Sequence, residues 1–520
     1  MSGRGRGHGR EHGRGHGRKR GRGRRRGRRT PASGQRCGRR HVRSALVLAA
    51  ALLTGCGPLG SASPDGPDRP AAHAEHPVGP AQRPVPHGAG SKVPYDFNGD
   101  GHPDLVVNDL LNRGGRAAHD DDPGIGIVYG SARGLVPRTR QLLTSSRNAA
   151  PTKGVVPAAF EAGAACDLDR DGFTDLVVTT DPPYDGVGRP PVPVQLLFGS
   201  PRGLAAGRAV PLHIPERARD GDEWPDQPVC GDFDGDGATD LAVTASGARI
   251  SYLRGPFTRQ GAPRAAAPLG VPGTALAALP GPLDADRDGA DGLLVRTADP
   301  GTAATSRLAL GGPQGPARAG TAFPAGHALA FGHFRHGTGT DAVVATGSRL
   351  LPRYGLTGDA PPLRVPGRAL HAADVTADGY TDLVVSDTDP VSGTDRTARG
   401  TDPAASDAAS AGSAPPAPAF LPGSATGLSG REARPLRQPA LPGTGPLHTT
   451  VLALADYDGD GHADLVLLTH RAPAQDTSAH RTPTAAQDRI TIHPGTPTGP
   501  SATPQVTFST TAFTVFFTDG

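Results

Sequence analysis

Residues 96–107 read DFNGDGHPDLVV, an acidic loop with two glycines that leads directly into a short apolar run. Close copies occur at residues 167–178 (DLDRDGFTDLVV), 232–243 (DFDGDGATDLAV) and 456–467 (DYDGDGHADLVL). Each copy places oxygen-bearing side chains at positions 1, 3 and 5, glycine at position 6 and aspartate at position 9. A segment that recurs in this way indicates a repeat protein built from one small supersecondary unit.

Three weaker copies complete a series of seven. One has threonine at position 3, one has glycine at position 9 with Asp291 one place earlier, and one retains only Asp341 among its acids. In this order they are residues 374–385 (DVTADGYTDLVV), 284–295 (DADRDGADGLLV) and 333–344 (HFRHGTGTDAVV).

A second signature follows every copy: a short apolar strand and then a turn, in most copies rich in glycine. The seven examples are VYGSARGL (128–135), LLFGSPRGL (196–204), SYLRGPF (251–257), LALGGPQGP (308–316), LLPRYGL (350–356), FLPGSATGL (420–428) and IHPGTPTGP (492–500). Seven loops alternating with seven turns predict seven β units. The shortest repeat still accommodates four strands of about 5–6 residues with tight turns.

The paired signatures resemble FG-GAP/VCBS repeats, which form the integrin-α-like β-propeller. This resemblance implies an all-β, seven-bladed propeller over residues 93–517, with calcium-binding DxDxDG loops. Propellers bury both faces of each blade, and the motif strands accordingly read as continuous apolar runs such as LVV at 105–107. We expect the β-prone run TAFTVFF (511–517) to close the ring onto the first blade.

The loop chemistry favours calcium, a hard cation that takes six to eight oxygen ligands from carboxylates, backbone carbonyls and water. Glycine at position 6 permits the sharp bend, and position 7 supplies a carbonyl. We predict four to six ions, mainly structural, and none at residues 333–344, the copy that retains only Asp341 among its acids. The predicted ligands are Asp96, Asn98, Asp100, His102 and Asp104; Asp167, Asp169, Asp171, Phe173 and Asp175; Asp232, Asp234, Asp236, Ala238 and Asp240; Asp284, Asp286 and Asp288; Asp374, Thr376, Asp378, Tyr380 and Asp382; and Asp456, Asp458, Asp460, His462 and Asp464.

The loops have two alternative interpretations. An EF-hand loop begins in the same way but needs a bidentate glutamate at position 12 and flanking helices. Position 12 is instead apolar, as at Val107, Val243 and Leu467. The second alternative is turn chemistry without a metal, since Asp and Gly favour turns. Repeated carboxylate clusters are costly to keep ionised without a cation, which favours the metal.

The leader carries an export signal. Residues 44–53 (SALVLAAALL) form an apolar run that follows several arginines and is shorter than the roughly 20 residues of a membrane span. It ends in LTGC at 53–56, which resembles the box of bacterial lipoproteins. We therefore expect an exported protein, anchored through lipidated Cys56 to the outer side of a bacterial cell membrane. Translation starting near Val42 and an overlong basic leader are the two alternatives for residues 1–40.

Charge separates the leader from the rest of the chain. Residues 1–55 hold 17 Lys and Arg against one acid, whereas residues 56–520 hold 37 basic and 49 acidic side chains. An acidic body argues against a nucleic-acid partner. Residues 56–92 are rich in Pro, Gly, Ala and His and predict a disordered tether, while residues 389–418 and 470–488 predict long disordered loops.

Cys166 and Cys230 occupy nearly equivalent places just before two acidic loops. Outside the cytoplasm they either form a disulfide between neighbouring blades or stay as two small buried residues. The sequence contains no HExxH, GxSxG, CxxC or Walker A motif. His327, His333 and His336 are interpreted as loop residues rather than a zinc site. Trp224, the only tryptophan, is interpreted as a shielding aromatic or a platform for carbohydrate.

Three functions remain open at this point. The resemblance favours a monomeric surface module that binds an extracellular protein or glycan rather than an enzyme. The alternatives are a calcium-dependent enzyme acting on polysaccharide and a structural subunit of an envelope complex, because a fold alone does not fix a function.

Overall fold

A computed structural model describes residues 83–108, 110, 124–219, 224–245, 247–277, 283–298, 302–337, 339–387, 416–443, 446–471 and 488–514. All of them belong to one compact unit, Glu75–Gly520. The leader, Cys56, residues 56–82 of the predicted tether and most of both predicted long loops lie outside the described residues. Within the described part of the chain, no helix has the length and apolarity needed to cross a bilayer.

The chain forms seven antiparallel sheets, each with its strands in sequence order. The first has three strands among the described residues and the other six have four. The strands are β1 (Leu105–Val107), β2 (Ile125–Val128) and β3 (Arg140–Leu143); β4 (Phe160–Cys166), β5 (Asp175–Thr180), β6 (Val194–Leu197) and β7 (Val210–Pro211); β8 (Val229–Gly231), β9 (Asp240–Ala245), β10 (Arg249–Phe257) and β11 (Pro263–Pro268); β12 (Ala275–Ala277), β13 (Leu293–Arg296), β14 (Ala304–Leu310) and β15 (Arg318–Gly326); β16 (Ala328–Gly332), β17 (Asp341–Ala345), β18 (Leu350–Tyr354) and β19 (Gly358–Asp359); β20 (Ala369–Ala373), β21 (Asp382–Ser386), β22 (Ala419–Leu421) and β23 (Arg434–Pro435); β24 (Leu447–Ala455), β25 (Asp464–Arg471), β26 (Asp488–His493) and β27 (Val506–Phe508). Short helical turns are α1 (Ser145–Asn148), α2 (Glu216–Arg219) and α3 (Thr511–Thr514), with a 3-10 turn at Gly203–Ala206.

Seven apolar clusters join each sheet to the next and close the ring. In β5, Val177 packs toward the third sheet, whereas its neighbours Leu176 and Val178 pack toward the first. This alternation explains why the motif strands are apolar at every position. The last cluster joins Val466 of the seventh sheet to Val107 of the first. The predicted all-β, seven-bladed β-propeller is confirmed, and we call the sheets blades 1 to 7.

The C-terminal run does contact the first blade, but its described part is a helical turn and not the expected strand. Phe513 of α3 is buried in the cluster between blades 7 and 1. A Cβ atom on Gly126 would lie 2.7 Å from the Phe513 ring, so the glycine makes room for it. Arg140 Nε also donates to the Ala512 carbonyl at 2.8 Å. Residues 515–517 of the predicted strand lie outside the described residues.

Phe513→Leu is expected to destabilise the protein by about 1–2 kcal/mol, because the smaller side chain leaves a cavity at the seam of the ring. Equilibrium unfolding in urea measures the loss. Val187→Leu, a change at an exposed residue, serves as the control. An unchanged midpoint for Phe513→Leu would contradict a role of the C terminus in closing the ring.

Two predicted disordered segments are shorter than expected. Residues 83–92 lie against the first two acidic loops, where Gly88 N donates to the Asn98 carbonyl at 3.1 Å and Ser91 N to the Gly172 carbonyl at 2.7 Å. At the other end of the chain, β25 continues to Arg471 and β26 begins at Asp488. Composition did not reveal these contacts: backbone hydrogen bonds hold both segments, and Val85 also packs against the apolar cluster between blades 1 and 2.

The antiparallel order gives each four-stranded blade two ends. Its first and second strands, and its third and fourth, connect at the end that carries the acidic loop, which we call the loop face. Its second and third strands connect at the opposite face, and the chain passes to the next blade there. First strands of successive blades contact one another, as β4 with β8 and β20 with β24, and so lie innermost.

Candidate metal centres

Each acidic loop is folded by hydrogen bonds from its own backbone to its carboxylates. In blade 3, Asp232 Oδ1 accepts from Asp236 N at 3.0 Å, and its Oδ2 accepts from Gly237 N at 2.8 Å. Asp236 Oδ1 accepts from Ala238 N at 2.9 Å. The positive φ of Gly237, 80°, allows the chain to turn here. The same position-1 and position-5 contacts recur, with small variations, at Asp96 and Asp100, Asp167 and Asp171, Asp284 and Asp288, Asp374 and Asp378, and Asp456 and Asp460.

In three loops the position-3 side chain has a buried oxygen that lacks a hydrogen-bond partner. In blades 1, 2 and 3 these atoms are Asn98 Oδ1, Asp169 Oδ1 and Asp234 Oδ1. All three side chains are more than nine-tenths buried. A buried oxygen without a donor is costly, and the same atom in three successive loops fits a bound cation. Thr376 differs, because its hydroxyl donates to Asp382 Oδ2 at 3.1 Å.

Several loops bring three carboxylates close enough to share one ion. Within each such group one oxygen per residue lies within 4.8 Å of the others. Among the described residues the groups are Asp167, Asp169 and Asp175; Asp232, Asp234 and Asp236; Asp284, Asp286 and Asp288; and Asp456, Asp458 and Asp460. These all-oxygen donor sets suit a hard cation such as calcium.

Several of these carboxyl groups have raised pKa values. Burial, followed by the charge of Asp171, raises the pKa of Asp169 to about 6, although the charge of Arg259 opposes the rise. Burial and the charge of Asp460 raise the pKa of Asp458. Burial also raises the pKa of Asp175 to about 8. Both burial and mutual repulsion disfavour the ionised form, and a divalent cation would relieve them.

Arginine side chains already contact three of the loops, which the sequence analysis did not foresee. In blade 2 the Arg259 Nε lies 2.5 Å from Asp169 Oδ2, and its Nη2 contacts Asp171. In blade 3 the Arg264 Nη2 lies 2.5 Å from Asp236 Oδ2. Arg318 approaches Asp286 at 2.8 Å and Asp288 at 2.5 Å in blade 4. Arg259, Arg264 and Arg318 lie 28–90 residues from the carboxylates they contact here. No local sequence motif therefore predicts these contacts.

The position-9 aspartates tie the acidic loop to the glycine-rich turn of the same blade. Asp240 Oδ2 accepts from Phe233 N at 3.2 Å and from Tyr252 Oη at 2.6 Å, while its Oδ1 accepts from Gly255 N at 2.8 Å. A Cβ atom on Gly255 would lie 2.1 Å from a backbone oxygen, so only glycine fits there. The same links to the loop and turn are made by Asp104, Asp175, Asp382 and Asp464. Their predicted role as ligands stays a prediction, beside this structural role.

Asp291 is not a displaced position-9 aspartate. Its N–H donates to the Asp232 carbonyl at 2.8 Å, and its Oδ2 accepts from Asp232 N at 2.9 Å, so it joins blade 4 to blade 3. Position-8 residues make the first of these contacts at other junctions, as Thr174 N does with the Asp96 carbonyl and Ala463 N with the Asp374 carbonyl. At the seam between blades 7 and 1, position 8 is a proline, which has no N–H to donate.

A disulfide joins Cys166, at the end of β4, to Cys230 in β8, with an S–S distance of 2.07 Å and a Cα–Cα distance of 6.4 Å. It links the inner strands of blades 2 and 3. Next to it Phe257 N donates to the Leu168 carbonyl at 2.8 Å across the same junction.

Replacing both cysteines by serine is expected to cost about 2–4 kcal/mol, since the bond closes a long loop in the unfolded chain. Urea unfolding measures this loss. Reducing the wild-type protein should produce the same midpoint as the double variant, which is the control. Two free thiols on titration of the unfolded protein from the cell envelope would contradict the bond.

Three other residues that the sequence singled out, Asp341, His333 and Trp224, make local contacts. In blade 5, whose loop at residues 333–344 retains one acid, Asp341 Oδ1 accepts from Gly355 N at 2.7 Å, which preserves the link to the turn. His333 Nδ1 contacts the Gly339 carbonyl, and none of the groups suited to a metal in the described residues contains histidine. Trp224 packs edge-on against Tyr184, with ring centroids 5.9 Å apart.

No protein-family model matches the sequence, and no curated protein matches it. Among solved structures, a protein of unknown function from Bacteroides caccae is similar, at 10% identity and a TM-score of 0.30. The match covers 63% of this chain and 92% of that one. A likeness this remote carries no argument about function.

Proposed function

We propose that this protein is a lipid-anchored binding module of the bacterial cell surface, whose propeller is stabilised by calcium. A propeller presents loops from many blades on two faces, and this architecture supports a binding or adhesion role in general. Calcium fits the all-oxygen donor sets of the loops and the position-3 oxygens that have no hydrogen-bond partner. Anchoring through Cys56 rests on the LTGC box at 53–56.

The observation that carries the binding role is an apolar patch on the opposite face. Val155, Val156 and Val187 are 53%, 38% and 76% exposed, and we call them the valine patch. Lys153 Nζ lies 4.0 Å from Asp185 Oδ2, so the two segments that carry these valines are neighbours. Exposed aliphatic residues on two neighbouring segments favour an interaction site on this face.

The patch favours a protein partner over a glycan. Valine offers no flat ring on which a sugar can stack, and its aliphatic surface resembles the apolar core of protein interfaces. The acidic loops, which are stabilising elements in this proposal, lie at the other end of the blades. Metal binding and partner binding are therefore assigned to separate faces.

Capture from cell-envelope extract tests the proposal. The wild-type protein should retain a partner that the double variant Val155→Asp, Val187→Asp loses by at least tenfold, because a charge in an apolar contact is strongly unfavourable. Arg202→Glu, on the loop face, is the matched control and should bind as wild type. Binding that survives in the double variant contradicts the assigned face, and binding that survives protease treatment of the extract indicates a glycan instead.

A further inference from the structure

Three of the DxDxDG loops have arginines on their carboxylates: Arg259 in blade 2, Arg264 in blade 3 and Arg318 in blade 4. In blade 3, Arg254 Nε also lies 3.4 Å from Asp234 Oδ2, from the side of the third strand. Arg264 and Arg318 occupy similar places, at the start of the outermost strands β11 and β15. Arg259 comes from the turn before β11 and crosses to the loop of the preceding blade. Among the described residues, no cationic side chain forms an ion pair with the position-1, position-3 or position-5 carboxylates of blades 1, 6 and 7.

Arg259 and Arg318 are held in place by contacts other than the ion pairs. The guanidinium carbon of Arg259 lies 4.9 Å from the centroid of the Phe198 ring. Arg318 donates from Nε and Nη2 to the Gly311 carbonyl, at 3.1 and 2.6 Å. The guanidinium groups of Arg259 and Arg318 are therefore fixed at the rims of their loops, where their positive charge acts on a nearby ion. Among the described residues, Arg264 is held only by its two ion pairs.

Arginine contacts occur at loops that carry aspartate at all three of positions 1, 3 and 5. The loops of blades 2, 3 and 4 have aspartate at positions 1, 3 and 5, and each has an arginine. The loops of blades 1 and 6 have Asn98 and Thr376 at position 3, so they carry one charge fewer and have none. An arginine thus offsets the third carboxylate, and blade 7, with Asp456, Asp458 and Asp460, is the exception.

Blade 6 shows that an arginine at this place in the strand is not sufficient. Arg434 begins the outermost strand β23, as Arg318 begins β15. Its Nη1 instead donates to the Thr498 carbonyl in blade 7 at 3.0 Å, and the side chain lies over the Phe420 ring. Arg434 is therefore the natural control for the other three arginines.

We propose that Arg259, Arg264 and Arg318 are built-in counter-cations that weaken calcium binding in blades 2, 3 and 4, so that the loop of blade 7 fills first. The inference rests on the proposed calcium function. In blades 2 and 3 the guanidinium contacts Oδ2 atoms of the position-3 aspartates and leaves Asp169 Oδ1 and Asp234 Oδ1 without a partner. An ion can therefore still bind there, but against the repulsion of a fixed positive charge.

Calcium titration of the purified protein, followed by calorimetry and by native mass spectrometry for the number of bound ions, tests this order. The triple variant Arg259→Gln, Arg264→Gln, Arg318→Gln should bind up to three ions about tenfold more tightly than wild type. Arg434→Gln should leave every affinity unchanged. The corresponding triple Lys variant, which keeps the charge, should remain within a few-fold of wild type. Asp458→Asn should remove the tightest site.

The outcomes separate the two proposals. A wild-type protein that binds calcium with the same affinities as the triple Gln variant overturns the counter-cation role and leaves the calcium function intact. A wild-type protein that binds no calcium at millimolar concentration overturns both. Should the triple variant fail to fold, each single Arg→Gln variant is expected to tighten one site, and three unchanged titrations overturn the inference.

Discussion

Saturating calcium is expected to raise the melting temperature of the metal-free protein by about 10 °C or more. An ion that binds only the folded state adds about 2.7 kcal/mol per site when its concentration is 100 times the Kd. Four such sites add about 11 kcal/mol, which is comparable to the whole stability of an ordinary domain. The effect is large because each ion removes repulsion among carboxylates that folding has brought together.

Differential scanning calorimetry in calcium and in excess EDTA measures this shift. A potassium chloride control at matched ionic strength removes the contribution of simple screening. Magnesium is expected to stabilise less, because it demands six ligands in near-ideal octahedral geometry and gives up its water reluctantly. Identical melting curves in calcium and EDTA would refute the proposal that these loops bind calcium.

The ring could be predicted from the sequence because its determinants are local and repeated. Each DxDxDG loop folds through hydrogen bonds between residues two to five apart, so its spacing is visible in the chain. The continuous apolar run after it, such as Leu176, Val177 and Val178, reports burial on both sides of the blade. Seven copies of the two signatures then fix the number of blades.

The surroundings of the loops could not be predicted in the same way. Arg259 and Asp171 are 88 residues apart, and they meet only because neighbouring blades lie side by side. The role of Asp291 could not be predicted for a related reason, since its partner is the Asp232 backbone in the preceding blade. Sequence spacing describes one blade well, whereas contacts between blades depend on how the ring brings distant loops together.

The last prediction separates two roles of the position-9 aspartates. Asp240→Ala is expected to cost about 3–5 kcal/mol in EDTA as well as in calcium, because it leaves the N–H groups of Phe233 and Gly255 and the Tyr252 hydroxyl without their buried acceptor. If Asp240 acted only as a calcium ligand, the variant and the wild type would unfold alike in EDTA. Urea unfolding under both conditions distinguishes these cases.

Two other variants set the scale of this measurement. Asp341→Ala, in the blade whose loop has no other acid, removes one backbone hydrogen bond and a long ion pair with Arg335, and is expected to cost about 1–2 kcal/mol, equally with and without calcium. Asp359→Ala, at an exposed ion pair with Arg353, should cost less than about 1 kcal/mol. A loss at Asp240 that is confined to calcium would mean that the metal and not the buried carboxylate joins the loop to the turn. A loss no larger than that at Asp359 under both conditions would contradict the structural role of Asp240.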